Sequence, residues 1–149
     1  MDDQVADDPG PFIGSRDHPF IDSQQTQINQ TNDPQDGQAA VGHFLSLAPR
    51  PTAIFCYNDM LAIGLLRGLQ DAGLRVPEDC SVVGFDNISL SAFTTPPLTT
   101  FDQPKRTIGA QAAQLILQLL EQGPVFNGLK ILSLKGDLLL RASTAPPSG

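Results

Sequence analysis

Residues 52–85 read TAIFCYNDMLAIGLLRGLQDAGLRVPEDCSVVGF, and this stretch decides the fold class. Two short apolar runs, Thr52–Cys56 and Ser81–Phe85, have the length and composition of buried strands. Between them, Asn58 is a favoured N-cap for an amphipathic helix over Asp59–Ala72. The order strand, helix, strand predicts a βαβ unit, in which the two strands are parallel and the crossover is right-handed.

The same alternation extends to both sides of this stretch. On the N-terminal side, Asp33 and Pro34 are typical of an N-cap and a first helical residue, and Pro49 ends the predicted helix. On the C-terminal side, Leu98–Phe101 predicts a third strand and Pro104–Glu121 predicts a long helix. The pattern as a whole indicates an α/β fold, a three-layer parallel sheet with flanking helices.

The two ends of the chain depart from this pattern. Residues 1–22 combine acids and prolines with few apolar side chains, so we expect an acidic, disordered arm there. Residues 23–149 are expected to form the folded body, beginning with a short strand around Ile28. Near the C-terminus, Leu129–Leu134 and Leu138–Arg141 predict the two strands of a hairpin.

The net charge of −7 on the 149 residues is located in the N-terminal segment. Residues 1–36 contain eight acidic side chains and one basic side chain, and the rest of the chain contains eight of each. Because neither part has the basic stripe that neutralises phosphates, we expect this chain to bind nucleic acid weakly or not at all. The sequence has no apolar run of transmembrane length and no signal peptide, so a cytoplasmic protein is predicted.

Motifs for catalysis or metal binding are not found in the sequence. His18 and His43 follow no predicted strand, and neither a Gly-x-Ser-x-Gly elbow nor a phosphate-binding glycine loop occurs. Cys56 and Cys80 form no Cys-x-x-Cys pair, and no metal ligands have the required spacing. We therefore expect a protein that is not an enzyme and needs no metal or cofactor. The two cysteines are expected about 15 Å apart along parallel strands, too far for a disulfide.

Polar side chains follow three of the predicted strands. Asn58 comes after the first strand, Asp86 after the second and Gln103 after the third. Ligands of such sheets bind at the carboxyl ends of the strands, so these residues predict a site for a small polar ligand, with Asn58 and Asp86 partly exposed at its rim. A simpler explanation remains open for each of two residues, since Asn58 would serve as a helix cap and Asp86 would begin a turn.

Five sequence motifs follow one another in a specific order across about residues 33–144. They are Pro51–Asp59 (PTAIFCYND), Gly73–Asp79 (GLRVPED), Ser81–Asp86 (SVVGFD), Pro96–Thr100 (PPLTT) and Arg141–Thr144 (RAST). Together they resemble the LacI/GalR family of transcriptional regulators. The alternative is a lobe of a periplasmic sugar-binding protein of an uptake system, which shares the fold and would need an export signal.

The resemblance implies the C-terminal lobe of an effector-binding domain with the periplasmic-binding-protein type I fold. It implies that Asn58 and Asp86 contact the effector and that Gln103 lies on a crossover segment beside the cleft. Side chains that both donate and accept hydrogen bonds suit sugar hydroxyls or nucleobase edges, so the expected effector is small and polar. The helix matching Pro104–Glu121 packs on the N-terminal lobe in this family. Neither that lobe nor the helix-turn-helix head that would bind operator DNA is found in this sequence.

One face of the second predicted helix carries apolar residues that the core does not use. Met60 and Ile63 share this face with Arg67, and the loop after the second strand adds Leu90 and Phe93. The resemblance implies that the positions matching Ile63 and this loop lie in a two-fold dimer interface, so we expect a homodimer. The alternative is that isolated apolar residues on a surface have no function.

Overall fold

The computed structural model describes residues 33–122 and 131–147 of the chain. Its elements, in chain order, are helix α1 (Pro34–Ser46), strand β1 (Ala53–Phe55), helix α2 (Asp59–Asp71), strand β2 (Ser81–Phe85), a 3₁₀ turn (Ser89–Ala92), strand β3 (Thr99–Asp102), helix α3 (Lys105–Gln122) and strand β4 (Asp137–Leu139). The predicted arm over residues 1–22 and the predicted strand around Ile28 lie outside the described residues.

The four strands form one sheet in the order β1-β2-β3-β4. β1 is parallel to β2 and β2 is parallel to β3, as the sequence predicts, whereas β4 is antiparallel to β3. The α/β fold with parallel strands and flanking helices is therefore confirmed, although the complete sheet is mixed. The parallel arrangement brings the carboxyl ends of β1, β2 and β3 to the same edge of the sheet.

The predicted hairpin near the C-terminus is wrong in the part that the structure describes. Residues 131–136 form no strand, and β4 pairs instead with β3, so that Leu138 lies opposite Phe101 and Leu139 opposite Thr100. The free edge of β3 offers backbone donors and acceptors that β4 satisfies. Gly136 also passes close to the Phe101 ring, since a Cβ at this position would lie 2.6 Å from its Cζ.

Helices α1 and α2 begin at the residues that the sequence predicts. The Asp33 side chain accepts a hydrogen bond of 2.9 Å from the backbone N–H of Gln35 at the start of α1. The Asn58 side chain accepts one of 2.8 Å from the N–H of Leu61 at the start of α2. These caps satisfy amide groups that have no partner within a helix, and they fix where each helix starts.

One face of the sheet carries the hydrophobic core. Helix α2 packs on the face of β2 that bears Val82, and α1 packs on α2. The period of two along a strand places Gly84 on the same face as Val82. The buried apolar side chains of this core are Val41, Phe44, Cys56, Ala62, Leu65, Leu66, Leu69, Cys80, Val82 and Leu98.

The opposite face of the sheet carries an aromatic ladder. The ring of Phe85 stacks on Phe101 with centroids 5.1 Å apart and meets the edge of Phe55 at 6.3 Å. Phe55 remains 57% exposed. The described side chains of α3 are exposed over most of its length, so α3 does not cover this face. Within residues 33–122 and 131–147, two of the three predicted layers are therefore present.

Residues 141–145 follow β4 and form a closing segment, which hydrogen-bonds to β2 and β3 on the side of the sheet that carries the core. The Ser143 carbonyl accepts from the N–H of Val82 at 2.8 Å, and the Ser143 hydroxyl donates to the Val82 carbonyl at 2.6 Å. The same hydroxyl accepts from the N–H of Thr99 at 2.8 Å. Ser81 and Ala145 exchange two further hydrogen bonds. A single buried serine thus joins β2 to the first residue of β3.

Both cysteines are free and buried, so the expectation of no disulfide between them is confirmed. Burial raises the pKa of the Cys56 thiol to about 12 and that of the Cys80 thiol to about 11. Both thiols are therefore protonated at neutral pH. They pack as small apolar side chains, which is the commonest use of a buried cysteine.

Candidate ligand-binding site

The loop after β2 has a strained backbone at two successive residues. Asp86 has φ 109° and Asn87 has φ 47°, a region that residues with a Cβ rarely adopt. Such conformations cost of order 1–3 kcal/mol each and persist where the surroundings hold them. The loop lies at the carboxyl end of β2, the edge of the sheet where ligands of α/β proteins bind.

The Asp86 side chain is held by Gln103. The Gln103 Nε2 donates to Asp86 Oδ1 at 2.6 Å, and the Lys105 ammonium donates to the Asp86 backbone carbonyl. Lys105 also lies 3.7 Å from the carboxylate of Asp102. The structure therefore brings two of the predicted site residues, Asp86 and Gln103, into direct contact. Asp86 is half-buried, which agrees with the expected position at a rim.

Asn58 lies at the neighbouring strand end, but its environment differs from the one expected. Its side chain is buried, with 6% exposure, and its Oδ1 caps α2. The expectation of a partly exposed Asn58 is therefore wrong. The capping bond draws the side chain toward the first turn of the helix, because the orphan N–H groups of that turn need an acceptor.

Asp59 is a central residue of this edge that the sequence did not indicate. It is fully buried. Its Oδ1 accepts from the Thr100 hydroxyl at 2.6 Å, and its Oδ2 accepts from the N–H of Ile88 at 2.8 Å. Gly84 makes room for it, since a Cβ there would overlap Asp59 Oδ1. One carboxylate thus ties the start of α2 to β3 and to the loop after β2. Its position directly after a helix cap is the only signal in the sequence, and an acid is ordinary at that position.

Arg141 is the second residue that sequence reasoning did not assign to the site. One guanidinium nitrogen, Nη2, donates to the Asn87 side-chain oxygen at 2.9 Å. The other, Nη1, donates to the Leu98 carbonyl at 2.7 Å and to the Ser91 hydroxyl at 3.0 Å. Asn87 is held from the other side as well, because its N–H donates to Thr100 Oγ1 at 3.2 Å.

The residues predicted for a dimer interface lie on the surface of the described body. Leu90 and Phe93, in and after the 3₁₀ turn, are 58% and 83% exposed. Met60 and Ile63 are half-buried on α2. Arg67 is exposed and forms an ion pair of 2.9 Å with Asp71, one helical turn away. The two apolar pairs come from segments that both adjoin the loop after β2.

In the part of the chain that the structure describes, no group of His, Cys, Asp or Glu side chains is arranged to hold a metal ion. None of the described helices is long and apolar enough to cross a membrane.

Comparison with known proteins places this geometry in a family. The model of the periplasmic binding protein-like domain matches residues 16–144. The chain belongs to this family. Curated relatives include the HTH-type transcriptional repressor PurR of Aliivibrio fischeri strain MJ11, which is 50% identical over 106 residues, or 70% of this chain and 31% of the repressor. The PurR repressor of Vibrio vulnificus is 51% identical over 79 residues, or 53% of this chain and 24% of that protein.

Solved structures with the same periplasmic-binding-protein-like fold agree with this assignment. A LacI family transcriptional regulator from Enterococcus faecalis V583 with bound ribose has a TM-score of 0.69 and 38% identity, over 78% of this chain and 42% of that one. A LacI family regulator from Lactobacillus casei with bound sucrose has a TM-score of 0.62 and 32% identity, over 75% of this chain and 41% of that one. The resemblance to the LacI/GalR family is confirmed. The chain spans about a quarter to a third of the length of the curated relatives it matches.

Proposed function

We propose that this chain is the effector-sensing and dimerisation part of a LacI/GalR-type transcriptional regulator that acts in the cytoplasm and is not an enzyme. The relatives support this proposal, because repressors and LacI family regulators match over most of the chain. The alternative, a lobe of a sugar-uptake protein, receives no comparable support from them. Operator DNA would be bound by a part of the regulator outside these 149 residues.

The observation that carries the proposal is the held carboxylate of Asp86. Gln103 occupies Oδ1, so Oδ2 is the oxygen that would accept a hydrogen bond from a ligand. The strained backbone and the Lys105 bond to the carbonyl fix its direction before a ligand arrives. A fixed carboxylate favours ligands with hydroxyl or N–H donors over analogues that lack them, because the half-buried acceptor would stay unpaired once such an analogue excluded water. Sugars and nucleobases both carry such donors.

Asp86→Asn is expected to weaken ligand binding by about tenfold, the loss of one charge-assisted hydrogen bond. The probes are ribose, glucose and the nucleobase adenine, each titrated into the full chain at millimolar concentration and followed by NMR. Asp71→Asn is the matched control, since Asp71 is an exposed acid at the far end of α2 and pairs with Arg67 rather than with the residues around Asp86. Equal affinity of wild type and Asp86→Asn, or no binding of any probe, would contradict the proposed site.

Ile63→Asp is expected to weaken the dimer by about 2 kcal/mol, a roughly thirtyfold rise in its dissociation constant. The effect is large because a two-fold interface contains the substituted residue of both subunits. Sedimentation velocity at about 50 μM should show a wild-type dimer and a monomeric variant. The control is Ile108→Asp on α3, an exposed isoleucine on a different face of the chain. A monomeric wild type would reject the dimer, and dissociation by Ile108→Asp alone would place the interface on α3.

A further inference from the structure

Arg141 bridges two parts of one loop that have different surroundings. On one side its Nη2 donates to the side-chain oxygen of Asn87, the residue next to Asp86 and 54 positions earlier in the chain. On the other side its Nη1 donates to the hydroxyl of Ser91, within the 3₁₀ turn, and to the carbonyl of Leu98, just before β3. Its backbone N–H donates to Thr99 Oγ1 at 2.9 Å, which holds the arginine itself in place.

The Asn87 end of this bridge touches the candidate ligand site. Asn87 follows Asp86 directly, and both have positive φ angles. The N–H of Asn87 is bonded to Thr100 Oγ1, and its side-chain oxygen is bonded to Arg141. A displacement of Asp86 along the loop therefore also moves the side-chain oxygen of Asn87, which accepts a hydrogen bond from the Arg141 guanidinium.

The Ser91 end supports the exposed apolar residues of the 3₁₀ turn. Ser91 is fully buried, and its hydroxyl donates to the Ile88 carbonyl at 2.7 Å while accepting from Arg141. Its N–H and carbonyl are bonded to Ile88 and Leu98. Leu90, immediately before it, and Phe93, two residues after it, are exposed. Ser91 is thus the anchor of the surface on which the dimer proposal depends.

A guanidinium is suited to linking these two ends. It is a rigid planar group, and its two terminal nitrogens cannot move independently of each other. A shift of Asn87 against one nitrogen is therefore passed to the other nitrogen and on to Ser91. A lysine, with one flexible ammonium, could hold either end but would not transmit a shift between them.

We propose that Arg141 is a positioning residue that couples the loop at Asp86 to the 3₁₀ turn, so that the ligand site and the Leu90–Phe93 surface respond together. The further statement that this coupling carries a signal from the ligand site to the dimer interface rests on the proposed function. The coupling itself is a property of the free chain and needs neither ligand nor dimer for its measurement.

The test is a double-mutant cycle read by amide hydrogen exchange in the full chain. The reporter amides are those of Ser91, Phe93 and Leu98, whose hydrogen bonds define the turn. Asn87→Gly removes the side-chain acceptor and tolerates the positive φ. In the wild-type background we expect Asn87→Gly to accelerate exchange of the reporter amides by about tenfold, because one charge-assisted hydrogen bond is lost. In an Arg141→Met background, where the link is already broken, the acceleration should be less than about twofold.

Control amides separate coupling from general loss of stability. The N–H groups of Cys56 and Ala62 are hydrogen-bonded elsewhere in the body and should exchange at the wild-type rate in every variant. Acceleration by the same factor in both backgrounds would overturn the proposal, as would equal acceleration of reporter and control amides. Should Arg141→Met fail to fold, Arg141→Lys keeps the charge and must give the same loss of coupling. Failure of ligand binding at Asp86 would leave this result unaffected, so the two proposals are tested separately.

Discussion

Gly64→Ala is expected to lower the free energy of unfolding by about 3 kcal/mol, the upper end of the usual cost of overpacking. A Cβ at this position would overlap the carbonyl oxygen of Pro34 and lie 2.6 Å from the carbonyl carbon. These are backbone atoms at the start of α1, so no side chain can rotate to make room. Gly37 on α1 has the reciprocal contact, since its Cβ would overlap the Leu61 carbonyl oxygen of α2. Two glycines therefore let the two helix backbones touch.

The matched control for this prediction is Gly42→Ala, also on α1. No heavy atom lies within 4 Å of a Cβ at Gly42. Alanine has the higher helix propensity, so this variant should gain up to about 1 kcal/mol. Urea unfolding followed by circular dichroism measures both changes on one scale. If both variants changed stability alike, the close contact of α1 and α2 would be refuted.

Asp59→Ala is expected to lower the free energy of unfolding by about 4 kcal/mol, the larger of the two effects. The substitution removes the acceptor of the Thr100 hydroxyl and that of the Ile88 N–H in one step. Thr100 is fully buried and Ile88 is half-buried, and each unpaired buried donor costs of order 1–3 kcal/mol. Because Ile88 follows the strained residues Asp86 and Asn87, the loop should also lose its fixed conformation.

Asp71→Ala provides the control, since Asp71 lies at the other end of the same helix. Its carboxylate is 42% exposed and pairs with Arg67, and exposed pairs of this kind contribute within about 0.5 kcal/mol. Thermal or urea unfolding should separate the two variants clearly. A loss below about 1 kcal/mol for Asp59→Ala would show that the buried carboxylate is not the tie between α2, β3 and the loop.

Local signals were sufficient to predict most of the helices and the parallel strands. Asp33 and Asn58 mark the starts of α1 and α2 because a capping side chain acts within three residues along the chain. Ser81–Phe85 was recognisable as a strand because a run of apolar residues needs no distant information. The alternation of strands and helices also predicts that Asp86 and Gln103 lie at one edge of the sheet, because the carboxyl ends of parallel strands meet there and ligands bind at those ends.

Long-range contacts account for what the sequence did not predict. The sequence predicts a hairpin for the segment that contains β4 because its true partner, β3, lies more than thirty residues earlier, and alternation within a segment does not identify a distant edge. The role of Arg141 has no local signal, since the partners of its guanidinium lie between 43 and 54 residues earlier. Asp59 appeared to be an ordinary acid in a first helical turn. Only the fold shows that Gly84 leaves space for it above β2.

The closing segment has a consequence for the synthesis of this protein. Ser143 and Ala145 bond residues of β2 that lie 61 and 64 positions earlier. A nascent chain that has emerged only as far as α3 contains α1, α2 and the first three strands, but the N–H groups of Val82 and Thr99 still await the serine that bonds them. The ribosome must therefore release residue 145 from its exit tunnel before the body can complete its fold. Until then the partly built sheet keeps unpaired backbone groups, and unpaired strand edges of this kind favour aggregation.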